Sequence, residues 1–575
     1  MKLRLKILTI LFLISLPSGL KADDGYRLWL KYDKIANKDI LIAYSKATRG
    51  IKIEGMSPTL DIAEEELKRG LGGLLGHAVP TVTKISHGGI IIAGTPASSA
   101  VIASFADHGM ISGVNREGYI IKTVKYNNKK IILIAGNEDV GVLYGVFGFL
   151  QLLQQHQQIA TLDILSSPKT AIRVLNHWDN LDRTVERGYA GFSLWNWQTL
   201  PDYLSRQYID YARANASVGI NGTVLTNVNA DALVLTKEYL VKVAALADLF
   251  RPYGLKVYLT ARFSAPIDIG GLKTADPFDI EVKRWWGEKC DEIYGYIPDF
   301  GGFLVKANSE GQPGPQNYGR SHADGANMLA DALAPHNGIV MWRAFVYDNK
   351  VAEERAKQAY NEFKQLDGYF RENVILQIKN GPIDFQPREP FHPLFGAMPA
   401  TSVMPEFQIT QEYLGFATHL VYLAPLYEEC LDSDTYAEGQ GSTVASIISG
   451  LSEGHGLSGM AGVSNIGTDR NWTGHLFGQA NWFAFGKLAW NPYLSSKEIA
   501  DEWIRMTISC DPEIVKGIGD IMMSSREAAV SYMTPLGLHH IMGAGHHYGP
   551  GPWIDTGRAD WTSVYYHRAD SLGIG

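Results

Sequence analysis

Six ionisable side chains sit in or just beyond runs that predict strands. Lys306 and Glu310 close FGGFLVKA (300–307), Arg343 lies in GIVMWRAFVY (338–347), Lys379 and Asp384 close NVILQIK (373–379), and Glu412 follows SVMPEFQI (402–409). Paired carboxylates suit cleavage of a glycosidic bond. One, protonated, gives the leaving oxygen its proton; the other, ionised, activates water or attacks the sugar. Three cations more than neutralise two carboxylates, and Arg offers a two-pronged fork for a carboxylate, so the set fits an anionic substrate. Any single pair among the six is as readily a structural ion pair, and the weight rests on the six together. Trp178, in the HWDN turn at 177–180, is placed to wall a sugar site, and Glu406 reads as a supporting carboxylate.

These residues need a scaffold that brings distant strand ends to one rim. Eight strand-like runs supply it: AIRVLNHW (171–178), GINGTVLT (219–226), LKVYLTARF (255–263), the three runs at 300–307, 338–347 and 373–379, SVMPEFQI (402–409) and GLSGMAGVS (456–464). Helical patterns such as TKEYLVKVAALADLFRPY (236–253) separate them. The fold class is therefore α/β, with a central (β/α)₈ TIM barrel, whose active sites lie at the C-terminal ends of the strands. The expected organisation is a barrel over 166–478, an N-terminal α/β sandwich-like domain over 23–165 and a helical region over 479–575. In the N-terminal domain YRLWLKY (26–32) alternates like a strand. The last residues, SLGIG, close no pattern, and the expectation is a fragment with a partial helical region.

The first 22 residues read as an address. Lys2, Arg4 and Lys6 precede ILTILFLISL (7–16), and Pro17-Ser18-Gly19 breaks the run. A membrane span needs about 20 apolar residues, so the expectation is a signal peptide and a periplasmic or secreted protein without a membrane anchor. Lys and Arg number 52 against 60 Asp and Glu, a net charge of −8, which argues against a nucleic-acid partner. Three Cys exclude a disulfide scaffold. The pairs His539-His540 and His546-His547 have no HExxH or Cys partner, so no metal is expected; their loop is read as a cover for the barrel mouth or a subunit contact.

Long motifs carry a resemblance. DDGYRLWLKYD (23–33), LNHWDNLDRTVERGYAG (175–191), VKANSEGQPGPQNYGR (305–320), KNGPIDFQPREP (379–390), EFQITQEYLG (406–415) and HHYGPGPW (546–553) resemble glycoside hydrolase family 67, the α-glucuronidases. The resemblance implies release of glucuronic acid or its 4-O-methyl ether from the terminal xylose of acidic xylo-oligosaccharides. It also implies inversion and no cofactor. Carried over, Glu310 is the general acid, and Asp384, Glu412 or both act as base. Lys306, Arg343 and Lys379 resemble the uronate-binding cations, and Trp178 and Val228 the residues around the sugar ring. A homodimer through the C-terminal region is left open. The rivals are a retaining barrel β-glycosidase or xylanase, a non-catalytic carbohydrate-binding protein, and a serine esterase, for which no GxSxG is present.

Overall fold

The computed structural model describes residues 23–533 except 107, 108, 110, 348–354 and 450–455. Beyond 533 it describes 543, 547, 549, 551–556, 567 and 570–572. The expected signal peptide and His539, His540 and His546 lie outside the described residues.

Eight parallel strands close into the expected barrel. They are β6 (Ile172–Asn176), β7 (Gly222–Val224), β8 (Lys256–Thr260), β9 (Gly302–Val305), β10 (Ile339–Arg343), β11 (Val374–Lys379), β12 (Val403–Gln408) and β13 (Gly459–Val463), and β13 pairs back onto β6. Helices cover the outer face while side chains fill the inner one, so these strands are nearly continuous apolar runs; every residue of β11 and β12 is buried. At the start of β9, Gly302 has φ +131°, and a Cβ there would lie 1.9 Å from the Ile339 carbonyl oxygen, so only glycine lets β10 approach.

Inward-facing positions form layers. Val174, Val224, Leu304, Met341, Ile375 and Met404 make an apolar plug inside the barrel. The register pairs Met341 with Ile375 and, two residues on, Arg343 with Gln377; Lys379 pairs with Glu406. Side chains two apart on a strand share a face. The interior therefore turns from apolar to ionic over one step along the strands, at the C-terminal rim.

The N-terminal domain is a five-stranded sheet in the order β1 (Gly50–Glu54), β2 (Ile90–Gly94), β4 (Lys129–Gly136), β3 (Tyr119–Tyr126), β5 (Asp163–Ser166). The helices Pro58–Leu75 and Asp139–Gln154 cover one face through Ile91, Ile132 and Ile134. Val101 and Ile102 cover Ile90, Ile92 and Leu133 on the other. Downstream of the barrel run the helices Leu476–Trp490, Ser496–Thr507 and Pro512–Met533.

One element departs from expectation. Residues 26–32 alternate apolar and polar but form a chain of turns instead of a strand. Leu28 and Tyr32 have φ of +55° and +49°, and the Leu30 N–H closes a turn onto the Arg27 carbonyl. Tertiary packing decides the matter. Trp29 is wholly buried edge-on against Trp482 and Phe483, and its indole N–H donates to Ser217 Oγ at 2.7 Å. The segment is a strap linking the N-terminal domain, the barrel and the helical region.

Candidate active site

The rim of the barrel holds two lysine–carboxylate pairs. Lys306 Nζ, at the end of β9, donates to Glu310 at 2.5 Å and to Asn229 Oδ1 at 2.8 Å. Asn229 in turn donates to Glu186 at 2.8 Å, which fixes the amide so that its oxygen faces the lysine. Lys379 Nζ, the last residue of β11, bonds Asp384 Oδ1, and the Tyr413 hydroxyl donates to Asp384 Oδ2 at 3.2 Å. Both lysines are buried, while the Glu310 side chain is 44% exposed and reaches the opening.

Arg343 lies between them. Its Nε and Nη2 rest on one oxygen of Glu406, at 3.0 and 2.9 Å, and Nη1 makes no hydrogen bond among the described residues. The guanidinium lies 5.6 Å from the Trp178 ring centroid. Lys379 Nζ is 3.4 Å from the Phe345 ring centroid and 4.4 Å from that of Phe385. Trp178, Val228 and Phe385 belong to one buried apolar cluster, so the wall beside the cations is greasy. The Trp178 indole N–H, Glu406 Oε1 and both amide atoms of Gln377 are buried without partners among the described residues. Buried polar atoms seldom stay unmatched, so this floor has hydrogen-bonding capacity left for a ligand or water.

Charge is distributed unevenly over the carboxylates. Burial and the nearby Asp384 push the Glu310 carboxyl up, but Lys306 and Lys379 outweigh them and hold it below its usual value. Burial, aided by Arg343 and Lys379, holds the Lys306 ammonium below the usual lysine value in spite of Glu310. The Lys306 ammonium and the Glu310 carboxylate thus support each other's charge.

Glu412 stands apart from this knot. Arg187 Nε donates to its Oε1 at 2.6 Å, Gln408 donates to its Oε2 at 2.5 Å, and His547 Nδ1 also faces Oε1. Burial works against the charge on Arg187, but Glu412 overrides it and raises the Arg187 pKa. The described member of the second His pair thus serves the site as a partner of Glu412, stacking on Tyr413 with ring centroids 4.8 Å apart. Both Glu412 oxygens are occupied by Arg187, Gln408 and His547.

All three carboxylates lie on or beside left-handed backbone. Glu310 has φ +50°, Asp384 +96°, and Gln411 and Tyr413, on either side of Glu412, +56° and +63°. Non-glycine residues persist there only where the surroundings hold them, and such positions concentrate at functional sites. The Glu310 loop is tied by its own N–H to the Tyr347 carbonyl at 3.0 Å and by Ser309 Oγ to the Tyr347 N–H at 3.2 Å.

Sequence reasoning missed Arg187, Asn229, Phe345, Phe385 and Tyr413. Arg187, Phe385 and Tyr413 lie inside the motifs quoted above, and Asn229 is the neighbour of Val228, but a motif does not say which loops face each other. Glu406, two strands away on β12, supports Arg343 directly across the barrel interior.

Comparison with known proteins agrees with this architecture. Three family models match in sequence order: glycosyl hydrolase family 67 N-terminus over residues 28–149, middle domain over 152–472 and C-terminus over 473–575. Alpha-glucuronidase A of Emericella nidulans is 41% identical over 580 residues, covering 96% of this chain and 66% of its own length. Alpha-glucuronidase of Hypocrea jecorina is 40% identical, covering 98% of this chain and 68% of its own. The chain thus spans about two thirds of the length of these relatives. Among solved structures, a family GH115 4-O-methyl-alpha-glucuronidase with specificity for decorated arabinogalactans matches with a TM-score of 0.53 at 12% identity, over 88% of this chain and 64% of that one. A GH138 enzyme targeting pectin rhamnogalacturonan II matches with a TM-score of 0.53 at 14% identity, over 85% and 56%. At such identities these two speak for the fold alone. With its middle-domain match spanning the whole barrel and its ionic rim, the chain belongs to glycosyl hydrolase family 67.

Proposed function

We propose that the protein hydrolyses the bond between glucuronic acid, or its 4-O-methyl ether, and the terminal xylose of glucuronoxylan-derived oligosaccharides, inverting the anomeric centre. The observation that carries this reading is the pair of buried lysines, each holding one carboxylate at a barrel rim walled by Trp178, Val228 and Phe385. The relatives' name, alpha-glucuronidase, supports it.

Glu310, the most open of the three, is the general acid that protonates the leaving xylose oxygen. Asp384 is the base that draws a proton from water: Glu412 is engaged at both oxygens by Arg187, Gln408 and His547 and orients the site. The substrate's carboxylate binds to Lys306, Lys379 and the open Nη1 of Arg343. Its negative charge offsets the cations that hold Glu310 ionised, so binding itself promotes protonation of the acid. The apolar wall gives an O-methyl group room. Residues 1–22 direct export.

Incubation with 4-O-methylglucuronosyl xylotriose, following free uronate, tests the reading. Release is expected, with the β-anomer formed first by proton NMR. No release refutes the activity, and a first-formed α-anomer refutes inversion.

A further inference from the structure

The turn that carries Asp384 is held from behind by one side chain. Glu389 Oε2 accepts the Ile383 N–H at 2.5 Å, and Oε1 accepts the Gln386 N–H at 2.9 Å. These two amides bracket Asp384 and Phe385, at φ +96° and +57°. Backbone of that kind needs an external clamp, and the Glu389 carboxyl group provides it at both ends of the strained pair. Space is kept for it: a Cβ on Gly381 would lie 2.2 Å from the Glu389 carboxyl carbon.

We infer that Glu389 is a positioning residue for the hydrolysis proposed above, fixing the Asp384–Phe385 turn so that the base and the apolar wall reach the sugar in one geometry. The inference rests on that functional reading. Both Glu389 oxygens are committed to main-chain N–H groups, so it is not itself a rival base. A cavity of about 190 Å³ lies behind the turn, lined among others by Asn380, Glu389, Glu429, Cys430 and Arg526. Arg526, on the helix Pro512–Met533, pairs with Glu429 at 2.5 Å and donates to the Pro387 carbonyl at 3.3 Å, which braces the same turn from the helical region. Asp384 and Lys379 face Glu389 from the site side, and Glu429, Cys430 and Arg526 from the cavity side. Burial, with Asp384 adding to it, pushes the Glu389 carboxyl up to about 8 against the pull of its two amides and Lys379.

The test is a double-mutant cycle between Glu389→Ala and Asp384→Asn, assayed for uronate release from 4-O-methylglucuronosyl xylotriose well below the unfolding midpoint of each variant. A misplacement of about 1 Å costs on the order of 10²-fold, so Glu389→Ala is expected to lower kcat by about that factor with KM within about 3-fold. Glu389→Gln, which keeps one acceptor, recovers part of it. In the Asp384→Asn background the same substitution is expected to cost under about 3-fold, because the group it positions no longer acts. A folded Glu389→Ala with wild-type kcat, or an equal loss in both backgrounds, overturns the inference while the functional reading stands. A wild-type protein that releases no uronate overturns both.

Discussion

Arg343 places two N–H groups on a single oxygen of Glu406 inside the barrel, and neither side chain is more than 1% exposed. The pair sits where the apolar plug gives way to the ionic rim, and it leaves one prong of the fork for a ligand. Removing one partner of a buried pair costs about 3–5 kcal/mol, because the other charge is left without compensation. Glu406→Ala is therefore expected to lower unfolding stability by that amount in urea titrations. A loss below about 1 kcal/mol would mean that water reaches Arg343.

Glu310→Gln removes the proton donor and leaves the binding groups in place. General acids contribute about 10²–10⁴-fold, and kcat on the aldouronic substrate should fall by that range with KM little changed. A substrate with a nitrophenolate leaving group needs no proton, so its hydrolysis should fall far less. Equal losses on both substrates would place the acid elsewhere.

The pH dependence has a definite sign. In the free protein Glu310 is held below the usual carboxylate value, chiefly by Lys306 among the lowering causes, so its protonated fraction falls as pH rises through that low pKa. Lys306→Met removes this cause and should move the alkaline limb of kcat/KM to higher pH. In the wild type, the bound uronate offsets the same cations, so the alkaline limb of kcat should lie above that of kcat/KM. Superimposed limbs would contradict the proposed coupling of binding to protonation.

Glu389 makes a prediction about stability alone. Its carboxyl is raised to about 8 in the fold, against an ordinary glutamate value of 4.5. Between those values the folded state binds the proton and the unfolded chain does not, so unfolding free energy falls as pH rises through that window. Glu389→Gln carries no such ionisation. Its melting temperature relative to wild type should therefore improve steadily from pH 5 to pH 8. A difference constant across that range would show that Glu389 is not protonated in the fold.

Much of the barrel was legible in the sequence because parallel strands buried on both faces are written as apolar runs, as in VILQIK and GFLV. Lys306, Arg343 and Lys379 were legible as candidates because a barrel places strand ends at one rim. The strap over 26–32 was not: its alternation imitates a half-buried strand, and its partners, Trp482 and Phe483, lie some 450 residues away. Nor could sequence reveal that Asn229 faces Lys306 or that Arg187 and His547 share Glu412, since such pairs depend on loop geometry. Left-handed backbone at Glu310 and Asp384 leaves no mark either, because neither is glycine.

The buried Trp29 sets an order of events during synthesis. A ribosome delivers this indole among the first residues, yet the rings and the hydroxyl that enclose it come from positions 217, 482 and 483. The nascent chain must carry an unsheltered tryptophan until residues 482 and 483 are made, a surface on which chaperones act. The strap therefore closes only after residue 483 has been made, later than the barrel strands, and a label or fusion placed at residue 23 would be felt in folding yield before it was felt in catalysis.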